Sequence, residues 1–116
     1  MERIRSVIFY KRYFLEFYTT LPKEARKKIN YSLYMIETQL MVPDKFFKSI
    51  KSELGLYEIR ASMGNNQYRI FCCLDDDSIV VLFHGFHKKT QKTPTSEIRK
   101  ARQLMKEYYQ TKKTTL

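Results

Sequence analysis

The sequence has little of what most small catalytic centres are built from: 116 residues hold two histidines, two cysteines, three glycines and no tryptophan. The cysteines are neighbours, Cys72 and Cys73. A bond between adjacent residues is strained and one pair cannot staple a scaffold, so a disulfide framework is excluded. They read instead as small apolar residues on opposite faces of a strand. His84 and His87 have no cysteine or carboxylate beside them at ligand spacing, so no metal site is expected. No glycine-rich phosphate loop is present, and nothing indicates a Ser-His-Asp or Cys-His set. The expectation is a protein with no metal and no small-molecule cofactor. No apolar run exceeds that of Ile79–Phe83, far short of the ~18 residues that cross a membrane. Only Val7–Tyr10 follow the charged start before Lys11-Arg12, so no secretory segment is expected and the protein is placed in the cytoplasm, away from membranes.

Acidic residues are also scarce. Twelve Asp and Glu face 22 Lys and Arg, a net charge of +10, in a chain that is 43% hydrophobic and 15% aromatic. That apolar content is too high for a disordered basic tail, and the length suits one domain spanning 1–116. The charge implies either a polyanionic partner, through counterion release from phosphates, or a solvated basic surface. It is unevenly placed: residues 1–60 carry +5, residues 61–83 carry −2 and residues 84–116 carry +7. The basic end opens with His84-Gly85-Phe86-His87-Lys88-Lys89-Thr90-Gln91-Lys92-Thr93-Pro94, a stretch without an acid.

Periodicity predicts a strand over Ile4–Tyr10, then Phe14, Phe17, Tyr18 and Leu21 at helical spacing. A second helix starts with Pro22 in its first position and carries an apolar stripe of Ala25, Ile29, Leu33, Ile36 and Leu40. Three strands follow, Leu54–Ala61, Gln67–Leu74 and Ile79–Phe86, separated by turn signals at Gly64-Asn65-Asn66 and Asp75–Ser78. A last helix runs from Pro94 to Tyr109, with Thr93 as its cap, Glu97 in its first turn and Tyr108 and Tyr109 as packing residues. The order is β-α-α-β-β-β-α: an α+β fold with a four-stranded, mostly antiparallel sheet, an N-terminal helical hairpin and a C-terminal helix.

Strand alternation groups the polar residues. A turn over Met63–Asn66 sets Arg60 opposite Arg69, and one that pairs Leu74 with Ile79 sets Arg69 opposite His84. Two facing arginines repel unless an anion joins them. That anion is either a bound phosphate or a carboxylate of Glu58, Glu53 or the Asp75–Asp77 turn. The chemistry left to Arg, Lys and His suits attack of an RNA 2′-hydroxyl on its own phosphate, in which the substrate supplies the nucleophile.

The segments Leu56-Tyr57-Glu58-Ile59-Arg60, Tyr68-Arg69-Ile70-Phe71 and His84–Pro94, followed by Glu97-Ile98 and Ala101, resemble the HigB-type, phage-derived host-inhibition toxins of the RelE/ParE superfamily. The resemblance spans nearly the whole chain. It implies the toxin of a type II toxin-antitoxin system: a metal-independent endoribonuclease that cuts mRNA on the ribosome, inhibits translation and is held by a HigA-like helix-turn-helix antitoxin. It also implies that Arg60 and Arg69 hold the scissile phosphate and that Lys88 and Lys89 contact RNA or stabilise the transition state. His84 lies within the family pattern and His87 in its variable place. The catalytic set expected is Arg60, Arg69, His84 and Lys88, with Lys89, Lys92 and His87 binding RNA. The general base is left among His84, His87 and a lysine of lowered pKa. The alternatives are a non-catalytic ParE-like inhibitor of a topoisomerase and a basic nucleic-acid-binding accessory protein.

Overall fold

The computed structural model describes residues 2–114. In chain order the elements are β1 (Ser6–Phe9), α1 (Tyr13–Tyr18), α2 (Lys23–Thr38), β2 (Phe47–Ser49), β3 (Leu56–Met63), β4 (Asn66–Asp75), β5 (Ile79–Lys88) and α3 (Thr95–Thr114). They form an α+β fold around one sheet of order β1-β5-β4-β3-β2, with β1 parallel to β5 and every other pair antiparallel. The sheet has five strands where four were expected. The fifth, β2, is three residues long, too short to show the two-residue alternation by which a strand is read from sequence.

Helices cover both faces. Ile59, Ala61, Tyr68, Ile70, Cys72, Val80 and Leu82 pack against Phe14 of α1 and Ala25, Ile29 and Ile36 of α2. On the opposite face Leu56, Phe71, Cys73, Val81 and Phe83 pack against Ala101 and Leu104 of α3. A sheet buried on both sides explains why the central strands are apolar almost throughout. Cys72 and Cys73 point to opposite faces, both buried and free, as alternation requires.

The apolar spacing of α2 places its stripe inward, with Ser32 completing it and Leu40 left outside, 78% exposed. Helix α2 stops at Thr38, and the Arg5 guanidinium satisfies carbonyls at and just past its end, donating to Ile36 and Gln39 at 2.8 Å and Leu40 at 3.1 Å. Pro22 lies one position before the helix rather than in it. At the other end of the sheet Gly85 lies beneath α1. A Cβ there would stand 2.4 Å from the Phe17 ring, so only glycine lets this helix lie on β5. Helix α3 runs five residues past the expected end at Tyr109. The Pro94 carbonyl, not Thr93, receives its first backbone bonds, from Glu97 and Ile98.

Candidate nucleic-acid interface

Strands β3 and β4 meet through a two-residue turn, with Gly64 in the left-handed region and Met63 opposite Asn66. The register that follows sets Arg60 directly opposite Arg69, as expected. The Arg60 N–H bonds outward to the Phe46 carbonyl, so this is a non-hydrogen-bonded pair of the β3–β4 ladder, in which facing side chains approach most closely.

The third member of the expected row is displaced. Asp76 and Asp77 both take left-handed backbone in a three-residue turn that pairs Asp75, not Leu74, with Ile79. A bulge follows: Cys72 pairs with Leu82 and Ile70 with Gly85, leaving Phe83 and His84 together opposite Phe71. Arg69 therefore faces Phe86. The bulge turns His84 onto the α3 face, where its ring lies 5.1 Å from that of Phe71 and its Nε2 is 3.0 Å from Glu97 Oε1. At 5% exposure His84 lies in the interior beneath α3 instead of in an open groove. Burial holds its pKa below the usual imidazole value against the pull of Glu97, with Lys100 adding to the depression.

Glu58 joins the arginines. Only 4% exposed, it lies two residues before Arg60 on the same face of β3. Its Oε1 accepts from Arg60 Nε at 3.0 Å and lies 3.7 Å from Arg69 Nε, and its Oε2 accepts from the Thr93 hydroxyl at 3.1 Å. Thr93 thus ties the loop before α3 to the arginine pair instead of capping the helix. Glu58 was one of three carboxylate sources the sequence offered; the strand alternation that makes Arg60 its neighbour on that face was the signal that singles it out.

One carboxylate leaves the cluster positive. Arg69 is buried, donates from Nη1 to the Tyr68 carbonyl at 3.0 Å, and keeps a buried Nε with no hydrogen-bond partner among the described residues. Burial lowers its pKa; Glu58 opposes that and Arg60 adds to it. Lys88, the last residue of β5, has an ammonium made more acidic by desolvation first, then by repulsion from Arg69 and Arg60, with Glu58 opposing.

Two open depressions, of about 650 and 640 Å³, share Lys88 and Gln91 in their walls. The first adds Arg69, His87, Lys89 and Asn65, and the second Arg60, Glu58, Lys48 and Lys92. Six of the seven residues singled out by sequence therefore line these two adjoining basic, solvent-open depressions, which together form the candidate groove, and His84 is the exception. His87 is exposed and stacked on Tyr68 at 5.0 Å. Tyr108 donates to Asp75 Oδ2 at 2.6 Å and is held protonated by burial and that carboxylate. Asp75 lies six residues along β4 from Arg69, ~20 Å at strand rise, so Tyr108 is remote from the groove. Among the described residues no three His, Cys, Asp or Glu side chains converge as a metal site, and no helix is long and apolar enough to cross a membrane.

A family model described as "Phage derived protein Gp49-like" matches residues 16–106, which include every groove residue named above. Among solved structures, a chain of the archaeal RelE-RelB complex from Pyrococcus horikoshii OT3 has a similar fold. The TM-score is 0.54 at 17% identity, over 78% of this chain and 99% of that one. No curated protein matches the chain.

Proposed function

The chain belongs to the phage-derived Gp49-like family, and from that premise we propose that it is the toxin of a type II toxin-antitoxin system, a HigB-like endoribonuclease that cuts mRNA on the ribosome. The observation that carries the reading is the facing pair Arg60 and Arg69 on one carboxylate, with Lys88 in the wall of the same open groove. Folding such a set is unfavourable unless an anion completes it, and phosphate fits the planar donors of two guanidinium groups.

In the proposed reaction a ribose 2′-oxygen forms a bond to the adjacent phosphorus while the bond from phosphorus to the 5′-oxygen breaks. The products are a 2′,3′-cyclic phosphate and a 5′-hydroxyl. The substrate supplies the nucleophile, so the protein holds the phosphate, neutralises the charge gathering on its oxygens and moves two protons. Arg60 and Arg69 hold and neutralise. Lys88, made a better acid by its partly desolvated, cationic surroundings, protonates the departing 5′-oxygen. His87, exposed at the rim of the same groove, accepts the 2′-hydroxyl proton. Lys89 and Lys92 track the RNA backbone to either side. His84 acts as a positioning residue, fixing α3 through Glu97.

The proposed unit is a single RelE-like toxin domain over 1–116, acting in the cytoplasm. Its partner is a HigA-like helix-turn-helix antitoxin, supported by the complexed state of the archaeal chain whose fold it shares. Induced expression tests the reading: Arg69→Ala should remove growth inhibition and transcript cleavage by about 100-fold or more while the chain stays folded. Toxicity that survives the substitution without cleavage would instead indicate docking to a target such as a topoisomerase.

A further inference from the structure

Strand β2 covers only part of the outer edge of β3. Its pairing with β3 ends at Phe47 opposite Ile59; beyond it the Arg60 N–H donates to the Phe46 carbonyl at 2.8 Å, and the Arg60 carbonyl accepts from the Ser32 hydroxyl of α2 at 2.7 Å. Peptide groups of a strand point alternately to its two neighbours, so the next outward donor and acceptor are the N–H and C=O of Ser62. They lie past the end of β2, beside a pocket of about 260 Å³ lined by Lys28, Tyr31, Lys45, Phe46 and Ser62. Tyr31 is 53% exposed, outside the Ala25–Ile29–Ser32–Ile36 stripe that α2 buries, with its ring tilted against that of Tyr34 at 6.4 Å. Phe46 meets Tyr31 edge-on, with centroids 5.6 Å apart at 70°, and the Lys45 ammonium lies 5.0 Å from the Phe46 centroid.

We propose that this pocket receives one unpaired nucleobase of the RNA whose phosphate is held at Arg60 and Arg69, an inference that rests on the RNA-binding part of the function proposed above. The chemistry matches on each side. An exposed aromatic face stacks on any base, a strand-edge N–H and C=O present the donor and acceptor that a base edge needs, and two lysines flank the place where its phosphates would lie. The pocket is smaller than the ~300–1,000 Å³ typical of small-molecule sites, which suits one ring system rather than a cofactor. Ser62 lies two residues along β3 from Arg60, ~7 Å at strand rise, a one-nucleotide step from the phosphate cluster. Arg60 lines both this pocket and the groove, so the two lie to either side of one residue. The pocket thereby gives the protein a way to select the nucleotide beside the cut.

The test uses the full chain and single-stranded RNA hexamers with 2′-O-methyl riboses, which bind but cannot be cleaved, carrying aminopurine or an abasic nucleotide at each position in turn. Tyr31→Ala, a change at an exposed side chain, should weaken binding about ten-fold or more. It should abolish the aminopurine quench at one position and have no further effect once that position is abasic. Equal affinity of wild type and Tyr31→Ala, or a loss that persists with every abasic hexamer, overturns the proposal; so does a wild-type protein that binds no hexamer. A Tyr31→Ala loss seen only in binding of an antitoxin protein assigns the surface to that partner and also overturns it. Cleavage is read separately through Arg69→Ala. A base-coupled Tyr31 effect in a protein that cuts no RNA leaves the pocket standing and removes the nuclease, while Arg69-dependent cutting without Tyr31 coupling does the reverse.

Discussion

Replacing Glu58 with glutamine probes whether the groove is a site that waits for an anion. Glu58 and Arg69 are both almost fully buried, and Glu58 is the only carboxylate that the described contacts give to either Arg60 or Arg69. Glu58→Gln keeps the shape but leaves two guanidinium groups facing each other without a counter-charge, and it turns an amide N–H toward one of the donors now bonded to the carboxylate. Breaking a buried ion pair in this way costs ~3–5 kcal/mol. At ~4 °C per kcal/mol for a chain of this size, the melting temperature should fall by ~12–20 °C. An anion that binds only the folded protein adds back RT ln(1 + [L]/Kd), ~2.7 kcal/mol at a hundred times Kd, so inorganic phosphate should raise the variant by ~10 °C. Wild type, whose carboxylate already occupies part of that space, should gain clearly less. Thermal unfolding in phosphate and in chloride at matched ionic strength reads both effects. A Glu58→Gln protein as stable as wild type, or an equal phosphate gain in the two, would refute the view that a missing anion organises Arg60 and Arg69.

Two further perturbations separate groove from scaffold. Because burial depresses the pKa of His84, the folded state keeps it neutral while the unfolded chain takes up a proton below the ordinary value of 6.5; stability should therefore decline as pH falls from there, and His84→Gln should remove that part of the slope in urea titrations. Asp75, lowered by Lys112 and Tyr108, loses its contribution only in more acidic solution, below its ordinary 3.8, so the two windows are distinct. Tyr108→Phe deletes a bond to the Asp75 carboxylate and should cost ~1.5–3 kcal/mol in the same titrations, yet leave growth inhibition at the wild-type level because the residue is remote from the groove.

The parts of this fold that show in the sequence are those fixed by local rules. Arg60 faces Arg69 because a short turn between two regular strands leaves little choice of register, and Cys72 and Cys73 divide between two cores because neighbours in a strand must. What stayed hidden depends on compensation between distant features. The Asp75–Ile79 pairing shifts β5 by one residue, and the bulge at Phe83-His84 shifts it by another, so His84 keeps the expected face but loses its place beside Arg69. Neither shift has a signature, since left-handed aspartates need no glycine and the bulge lies in a buried apolar run. Thr93 has the position of a helix cap, but its hydroxyl is claimed by Glu58, thirty-five residues away in the chain. Helical spacing puts Tyr31 beside Tyr34, but no local rule pairs it with Phe46, which stands just before β2 and meets it only in the fold.

The most direct measurement of the central claim is the chemistry of RNA ends on ribosomes after brief induction of the protein. Cleavage by internal attack leaves a 2′,3′-cyclic phosphate on one side of each cut and a 5′-hydroxyl on the other. Wild type should generate such paired ends within translated messages, and Arg69→Ala should not. Message ends identical in the two, or new ends bearing 5′-phosphates, would contradict the assignment of Arg60, Arg69 and Lys88 to the phosphate being cut.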